Sequence, residues 1–259
     1  MSDEGRTHLT VNGAVAQITF DRPSARNAMT WRMYEELAEA CQKIAGDPAL
    51  RVVVLRGAGG KAFVAGTDIQ QFLDFSSGED GIAYEARIET YVAALEKLPL
   101  PTVAVVEGWA VGGGFLIANA CDVRLATLGA RFGVPIASTL GNCLSAANLR
   151  RLAATLGEAW VKRMLLLAEM PTAEELAPTG YVAAVVPPEA MEERLEAMCQ
   201  KLTGHAPLTM RAAKEGLRRL ATDPVAGDDD LVRMCYGSAD FRAGVAAFLA
   251  KRPAGWRGE

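Results

Sequence analysis

The chain has 259 residues, half of them apolar, and a formal net charge of −4 at pH 7 with acidic and basic residues interspersed. This length and composition predict one large hydrophobic core, or one core with a small appendage, and the charge pattern argues against a nucleic-acid or membrane-surface footprint. No run approaches the ~18 apolar residues of a membrane span and the N-terminus is no signal peptide, so we expect a cytoplasmic protein.

Cysteine and histidine usage limits the possible chemistry further. The five cysteines are odd in number, widely spaced and without a CxxC pair, which is typical of a reducing compartment. His8 and His205 are the only histidines, so the sequence offers no plausible metal-ligand cluster and a poor basis for Ser/His/Asp catalysis. We therefore expect no metal.

The first elements in chain order are a hairpin and an amphipathic helix. Residues 8 to 20 alternate around Asn12-Gly13, which predicts two paired strands. The loop DRPSARNAMT follows, and Thr30 is suited to cap the next helix. That helix has one apolar stripe and ends at Gly46-Asp47-Pro48; the stripe consists of Met33, Leu37, Cys41 and Ile44.

A glycine-rich turn follows the buried strand predicted at residues 51 to 56. Residues Gly57 to Ala62 formally fit the G-x-G-x-x-A dinucleotide-binding pattern after a strand. The context argues against that interpretation, because Phe63 to Gly66 open no amphipathic helix and no acidic residue stands ~20 positions on at the end of a next strand.

A second glycine turn lies in the stretch from Thr102 to Asp122. Thr102 to Val106 read as a buried strand, and Gly112 to Gly114 open a helix that is apolar on every side as far as Cys121. The first N–H groups of a helix have no intrahelical partner, so this turn predicts a donor site for an oxyanion or a phosphate. The alternative is that the glycines only let a buried helix pack closely against a sheet.

The two stretches form an internal repeat of strand, glycine turn, short apolar piece, second glycine turn and helix start. The repeat places Gly66-Thr67-Asp68 where the later copy places Gly112 to Gly114. We therefore predict two donor-rich turns side by side, which suits a negative charge that develops on one oxygen.

The remaining chain alternates strand and helix and then becomes helical. We predict a helix at 83–97, a strand in DVRLAT, a loop ARFGVPIASTLGNCLS that borders the same pocket, and a strand in YVAAVV. Further helices are predicted at about 144–156, 158–168, 172–177, 189–203, 207–221 and 227–250. The change near residue 190 suggests two regions, 1–190 and 191–259.

Four segments in this order resemble the crotonase, or enoyl-CoA hydratase/isomerase, superfamily. They are DRPSARNAM in the first loop, KAFVAGTDI from Lys61 to Ile69, EGWAVGGGFLIANACD followed by RFGVPI, and YGSADFRAGVAAFLAKRP near the C-terminus. The resemblance implies an α/β fold, a spiral of repeated ββα units with a C-terminal helical region that builds trimers, often paired into hexamers. It also implies an acyl-CoA thioester as the ligand, in a lyase or isomerase reaction of the kind found in fatty acid metabolism, with no cofactor beyond the CoA moiety.

The resemblance implies roles for individual residues as well. In the family, the thioester oxygen lies between two backbone N–H groups, which here would be those of Thr67 and Gly113. CoA-binding positions carried over from the family segments are Arg26, Ala28, Lys61, Ala65, Asp68 and Lys251. The alternative for Arg26 and Lys251 is that they are ordinary solvated charges on the surface. For Asp68 the first interpretation is a residue that caps a helix.

The family comparison also predicts a loss. Hydratases of this family hold water between two glutamates, and the corresponding positions here are Leu116 and Ile136, which can neither accept nor donate a proton. Hydration by the usual pair is therefore not expected, nor is isomerisation through the second glutamate. Open possibilities are a substrate that supplies its own leaving group, as in decarboxylation, an unidentified base, or a non-catalytic acyl-CoA-binding or scaffolding protein.

Two polar residues of the pocket loop remain as candidates. Asn142 could hold a water or a substrate carboxylate, and Cys143 could act as a nucleophile if its pKa were lowered. The alternatives are a turn residue after Gly141 and a small buried apolar residue, respectively.

Overall fold

The computed structural model describes residues 4–259 as an α/β fold. Its strands are β1 (Arg6–Asn12), β2 (Val15–Asp21), β3 (Val52–Gly57), β4 (Ala62–Val64), β5 (Thr102–Val106), β6 (Trp109–Val111), β7 (Val123–Thr127), β8 (Arg131–Gly133) and β9 (Ala184–Val186). Its α-helices are α1 (Trp31–Ala45), α2 (Gly78–Glu96), α3 (Gly113–Ala120), α4 (Ala146–Leu166), α5 (Ala173–Leu176), α6 (Met191–Thr203), α7 (Pro207–Leu220), α8 (Asp229–Tyr236) and α9 (Ala239–Leu249).

The strands form two sheets that follow one repeating unit. The larger sheet has the order β1-β2-β3-β5-β7-β9 and the smaller one β4-β6-β8. Only the predicted hairpin, β1 with β2, is antiparallel; the other pairs between these strands are parallel. In each unit the first strand joins the larger sheet, the second joins the smaller one, and a helix follows. The units are β3-β4-α2, β5-β6-α3 and β7-β8-α4, which confirms the predicted ββα spiral and adds a third copy.

The third copy corrects one prediction. The segment ARFGVPIASTLGNCLS was expected to be a loop, but Arg131 to Gly133 form β8, which pairs with β6 from Trp109 to Val111. Ile136–Ser138 then form a 3₁₀ turn. Three residues are too few for a periodic pattern, so this strand exists because the edge of β6 offers it hydrogen bonds.

Helix boundaries differ from prediction where a cap decides them. Helix α2 begins at Gly78 rather than residue 83, because Ser77 and Asp80 form a reciprocal capping box. The helix predicted at 227–250 is two helices, α8 and α9, because Ser238 accepts a hydrogen bond from Phe241 N–H and starts a new one. Gly157, at φ 74° and ψ 153°, interrupts α4 where the sequence predicts a division between two helices.

Two hydrophobic clusters cover the two faces of the larger sheet. The main cluster contains the predicted stripe of α1 and the apolar side chains of α3 from Phe115 to Ala118. The second cluster packs Met191, Leu195 and Cys199 of α6 against β3, β5 and β7. Helix α6 is thus part of the packed core, and the division at residue 190 stays a prediction. Within residues 4–259, no helix is both long enough and apolar enough to cross a membrane.

Candidate active site

The structure brings the two predicted glycine turns together. A Cβ built on Gly112 would lie 3.7 Å from the Cα of Gly66, and one built on Gly113 would lie 3.0 Å from Thr67 Oγ1. Gly112 has a φ of 51°, which glycine adopts without strain, and α3 begins directly after it. The turn after β4 and the turn after β6 therefore face each other, as the repeat predicts.

Both turns present backbone donors that the protein itself leaves unused. Met29 N–H donates to Gly66 O and Asp68 N–H donates to Met29 O, each at 2.9 Å, so this parallel bridge directs Thr67 N–H away from Met29. Within residues 4–259 neither Thr67 N–H nor Gly113 N–H donates a hydrogen bond. Gly113 is the first residue of α3, where a free N–H and the positive end of the helix dipole coincide.

The side chain of Thr67 is held by two tyrosines that the sequence did not single out. Thr67 Oγ1 lies 2.8 Å from Tyr34 Oη and 2.9 Å from Tyr84 Oη. Tyr34 comes from α1 and is fully buried, whereas Tyr84 comes from α2 and is half-buried. Burial raises the pKa of both phenols, that of Tyr84 to about 12, so both stay protonated at neutral pH.

A cavity of about 720 Å³ opens beside the Tyr84 hydroxyl. Its wall is formed by the segment after the turn, by the start of α2 and by the loop before α4. Apolar lining residues are Phe72, Phe75, Ile82, Leu140 and Leu144, and polar ones are Tyr84, Glu85, Asn142, Cys143 and Ser145. Tyr84 lines the cavity and also contacts Thr67 through its hydroxyl, so it connects the turn at Thr67 with the apolar space. The volume is typical of a small-molecule site.

Glu85 is the one ionisable carboxylate that the described residues bring to this cavity. Its Oε2 accepts a hydrogen bond from Ser145 N–H at 2.8 Å, at the N-terminus of α4. Burial raises the pKa of Glu85, and the nearby Glu89 carboxylate adds to the shift, against hydrogen bonds from Ser145 and Asn148. The sequence predicts both the helix and the loop, but 60 residues separate Glu85 from Ser145, so no local pattern could reveal their contact.

The raised pKa of Glu85 leads to a prediction about how the stability of the fold depends on pH. A carboxyl whose pKa is higher in the folded state stabilises the fold below its ordinary value of 4.5, and this contribution is lost as pH rises through the raised value. Glu85→Gln stays neutral and can still accept from Ser145 N–H. We expect the variant to melt at a higher temperature than the wild type at pH 8, with the difference shrinking at pH 4, in thermal unfolding followed by circular dichroism.

A matched control for this prediction is Glu158→Gln. Glu158 is exposed on α4, and its pKa is lowered by a hydrogen bond from Lys162. Its substitution should not stabilise the protein at pH 8. A Glu85→Gln variant that melts below the wild type at pH 8 would contradict the prediction.

Leu116 and Ile136, which the sequence analysis places at the family's glutamate positions, both lie in apolar surroundings. Leu116 lies in the first turns of α3 and is 5% exposed. Ile136 opens the 3₁₀ turn before the cavity loop, is half-buried, and packs against the main core cluster. Neither position offers a proton donor or acceptor.

The structure shows the exposure of the two loop candidates and the hydrogen-bond partners of Asp68. Asn142 and Cys143 are exposed, follow Gly141 at φ 73°, and line the cavity. The alternative of a small buried apolar residue at position 143 is therefore wrong, and the predicted roles of both residues stay predictions. The Asp68 side chain accepts a hydrogen bond from Gln70 N–H, as predicted for a helix cap, and also forms an ion pair with Arg22 at 2.7 Å. Its carboxylate is thereby occupied within the fold.

The predicted CoA-binding residues come from the first loop, from the chain around β4 and from the segment after α9. Arg26 is exposed at φ 51° and its carbonyl accepts from Ala65 N–H at 3.1 Å, which ties the first loop to the turn. Ala28 and Ala65 are half-buried, and Lys61 is exposed just before β4. Lys251 is exposed beyond α9. Their contact with a nucleotide stays a prediction. In the described part of the chain, no group of three His, Cys, Asp or Glu side chains could hold a metal ion.

Comparison with known proteins finds matches over nearly the whole chain. A family model for enoyl-CoA hydratase/isomerase covers residues 10–259. The short-chain-enoyl-CoA hydratase of Clostridium acetobutylicum is 31% identical over 94% of this chain and 94% of that protein. The (E)-benzylidenesuccinyl-CoA hydratase of Thauera aromatica is 32% identical over 96% of this chain and 98% of that protein.

Solved structures agree with these sequence matches. The crystal structure of an enoyl-CoA hydratase/carnitine racemase from Magnetospirillum magneticum superposes with a TM-score of 0.90 at 33% identity, over 98% of this chain and 96% of that one. An enoyl-CoA hydratase from Bacillus anthracis superposes with a TM-score of 0.87 at 28% identity, over 98% of this chain and all of that one, 100%.

Proposed function

The chain belongs to the enoyl-CoA hydratase/isomerase family, and on that premise we propose that it is an enzyme acting on an acyl-CoA thioester through an enolate. The enolate oxygen accepts hydrogen bonds from Thr67 N–H and Gly113 N–H. The observation that carries this proposal is that both N–H groups are unused and stand in facing turns. Donors fixed in advance stabilise a developing oxyanion by about 3 kcal/mol each.

The cavity supports the choice of ligand. Its Phe72, Phe75, Ile82, Leu140 and Leu144 side chains suit an apolar acyl chain, and Tyr84 connects it to the turns. An acyl group in this space would place its thioester carbon near the two donors. Arg26 and Lys251, both exposed, would meet the phosphates of CoA.

The enolate can form in two ways, which differ in the bond at C2 that breaks and supplies its electron pair. With Leu116 and Ile136 in place, either the substrate supplies a leaving group, as in decarboxylation of a 2-carboxyacyl-CoA, or another carboxylate acts as base. Glu85 favours the second route, because its carboxylate lies in the cavity with a raised pKa. A non-catalytic acyl-CoA-binding protein is the alternative favoured by the two apolar positions.

Binding of an acyl-CoA is the first expected result. Titration calorimetry with acetyl-CoA, butyryl-CoA and free CoA should show binding, with both thioesters bound more tightly than free CoA because only they offer a carbonyl oxygen to the two N–H groups. If neither thioester binds at millimolar concentration, the proposed ligand is wrong.

A turnover screen separates the two reactions and the non-catalytic alternative. Malonyl-CoA tests the substrate with its own leaving group, and deuterium exchange at C2 of butyryl-CoA in D₂O tests base-assisted enolate formation. Exchange that is lost in Glu85→Gln identifies Glu85 as the base, whereas decarboxylation that persists in Glu85→Gln favours the first route. Binding without either conversion favours the non-catalytic protein.

We also propose that the protein assembles as a trimer or a dimer of trimers through residues 191–259. Leu195 and Leu231 of this region are buried within the chain, but many apolar side chains of α7, α8 and α9 are exposed: Leu217, Leu220, Val232, Phe241, Val245, Phe248 and Leu249. Closed cyclic symmetry is the usual way to bury such a surface.

The assembly prediction is tested by sedimentation equilibrium at micromolar concentration. We expect three or six times the chain mass of 27.5 kDa, and dissociation in Leu217→Glu/Phe248→Glu, whose side chains are 70% and 83% exposed in the single chain. The control is Val11→Glu, an exposed position on β1. A wild-type monomer would refute the proposal.

A further inference from the structure

Three hydroxyl groups from distant parts of the chain form one hydrogen-bonded chain beside the two donor turns. Thr67 Oγ1 stands in the middle, 2.8 Å from Tyr34 Oη and 2.9 Å from Tyr84 Oη. The tyrosines come from α1 and α2, and a neighbouring aromatic ring packs against each of them: Tyr34 stacks on Tyr91 with ring centroids 5.5 Å apart, and the ring centroids of Tyr84 and Phe72 are 4.8 Å apart.

This hydroxyl chain has one proton more than it needs. Three O–H groups contribute three protons, and the two hydrogen bonds between them use two. The third proton must lie at Tyr34, at Thr67 or at Tyr84. The position of this proton determines what the group offers to a ligand.

The Tyr34 end is the unfavourable position for the spare proton. Tyr34 is fully buried, and its hydroxyl has no hydrogen-bond partner other than Thr67 among residues 4–259. A buried donor without an acceptor costs free energy. Tyr34 therefore donates to Thr67, and the spare proton is presented by Thr67 or, if Thr67 donates onward, by Tyr84, which lines the cavity.

The hydroxyl chain also touches the first residue of α3. A Cβ on Gly113 would overlap the Tyr34 hydroxyl oxygen and lie 3.0 Å from Thr67 Oγ1. The oxygens thus border the place where the proposed thioester carbonyl binds. Leu116 and Ile136 leave the site without a proton donor at the family's glutamate positions, and the hydroxyl chain lies between the donor turns and the acyl cavity.

We propose that Tyr84 is the proton donor to the enolate carbon, with Thr67 and Tyr34 as positioning residues that hold its hydroxyl. The inference rests on the proposed function. The Tyr84 O–H bond breaks and its pair stays on the phenolate oxygen, while the C=C pair of the enolate forms a C–H bond at C2 and a lone pair of the enolate oxygen re-forms the C=O bond. The phenolate left on Tyr84 regains a proton from water. In the exchange reaction the base of the proposed function, Glu85, takes a proton from C2, the C–H pair becomes the C=C bond of the enolate and the carbonyl π pair moves to the thioester oxygen; Tyr84 then delivers a deuteron to C2.

The test is stereospecific hydrogen exchange at C2 of butyryl-CoA in D₂O, followed by proton NMR, with binding of butyryl-CoA measured in parallel by calorimetry. A donor fixed on one side of the enolate should exchange one of the two C2 hydrogens. Tyr84→Phe keeps the ring and removes the hydroxyl, and we expect it to slow exchange by about 10²-fold or more with little change in binding.

The positioning residues give smaller, graded effects. Thr67→Val should slow exchange about tenfold, because Tyr84 loses its hydrogen-bond partner, and Thr67→Ser should restore the wild-type rate. Tyr91→Phe is the matched control: Tyr91 lies on the same helix, but its hydroxyl accepts from Arg87 rather than from Thr67. Its exchange rate should equal that of the wild type.

The outcomes distinguish this inference from the proposed function. Wild-type exchange that persists in Tyr84→Phe but is lost in Glu85→Gln overturns the assignment and leaves the enolate reaction in place. Binding of butyryl-CoA by the wild type without exchange above the buffer rate also overturns it. If butyryl-CoA does not bind at all, the proposed function fails, and this inference fails with it.

Discussion

Gly113→Ala should lower C2 hydrogen exchange on butyryl-CoA by about 10²–10³-fold, the effect expected when one preorganised oxyanion donor is lost. The added Cβ would overlap the Tyr34 hydroxyl oxygen and lie 3.0 Å from Thr67 Oγ1. Tyr34 is fully buried and cannot move aside easily. The backbone at residues 112 and 113 must therefore shift, and Gly113 N–H leaves the position from which it faces Thr67.

The measurement pairs NMR exchange with calorimetry, and Gly46→Ala serves as the control. A Cβ on Gly46 would lie 3.7 Å from its nearest neighbours, at an ordinary negative φ of −87°. We expect wild-type exchange from Gly46→Ala. Wild-type exchange from a folded Gly113→Ala variant would rule out Gly113 N–H as an oxyanion donor.

Hydration of crotonyl-CoA by the wild-type protein should be slower than by a two-glutamate hydratase by several orders of magnitude. Loss of one general acid or base typically costs about 10²–10⁴-fold, and the family resemblance places Leu116 and Ile136 at both glutamate positions. The absorbance of the conjugated thioester should disappear at a rate close to the rate in buffer without protein. The converse variant, Leu116→Glu/Ile136→Glu, should hydrate crotonyl-CoA measurably.

The control for the converse variant is Leu116→Gln/Ile136→Gln, which has the same size and polarity but no titratable group. Leu116 is 5% exposed, so both pairs need thermal unfolding to show that they fold. Brisk wild-type hydration would mean that another part of the fold supplies a carboxylate. Glu85 is then the first residue to substitute, because it is the ionisable carboxylate of the cavity among the described residues.

Close agreement between sequence and structure occurs where a pattern is local. The hairpin at Asn12-Gly13, the stripe of α1 with its Thr30 cap, and the strand from Thr102 to Val106 are present as predicted. The repeat also predicted that two glycine turns meet. The hairpin, the stripe and the strand each depend on residues close together in the chain, where periodicity and turn chemistry act directly, whereas the meeting of the turns follows from the similarity of two distant stretches.

By itself, the sequence determined the family, the repeating ββα architecture and the positions of the two glycine turns, and it predicts apolar residues, Leu116 and Ile136, at the family's glutamate positions. Only the tertiary structure decided the strand β8, the third unit, and the hydroxyl and carboxyl groups of the cavity. Tyr34 and Tyr84 lie 33 and 17 positions from Thr67, and Glu85 lies 60 positions from Ser145. Such contacts arise when helices pack across a sheet, and a tyrosine or glutamate on a helix has the same local pattern whether it faces a site or solvent.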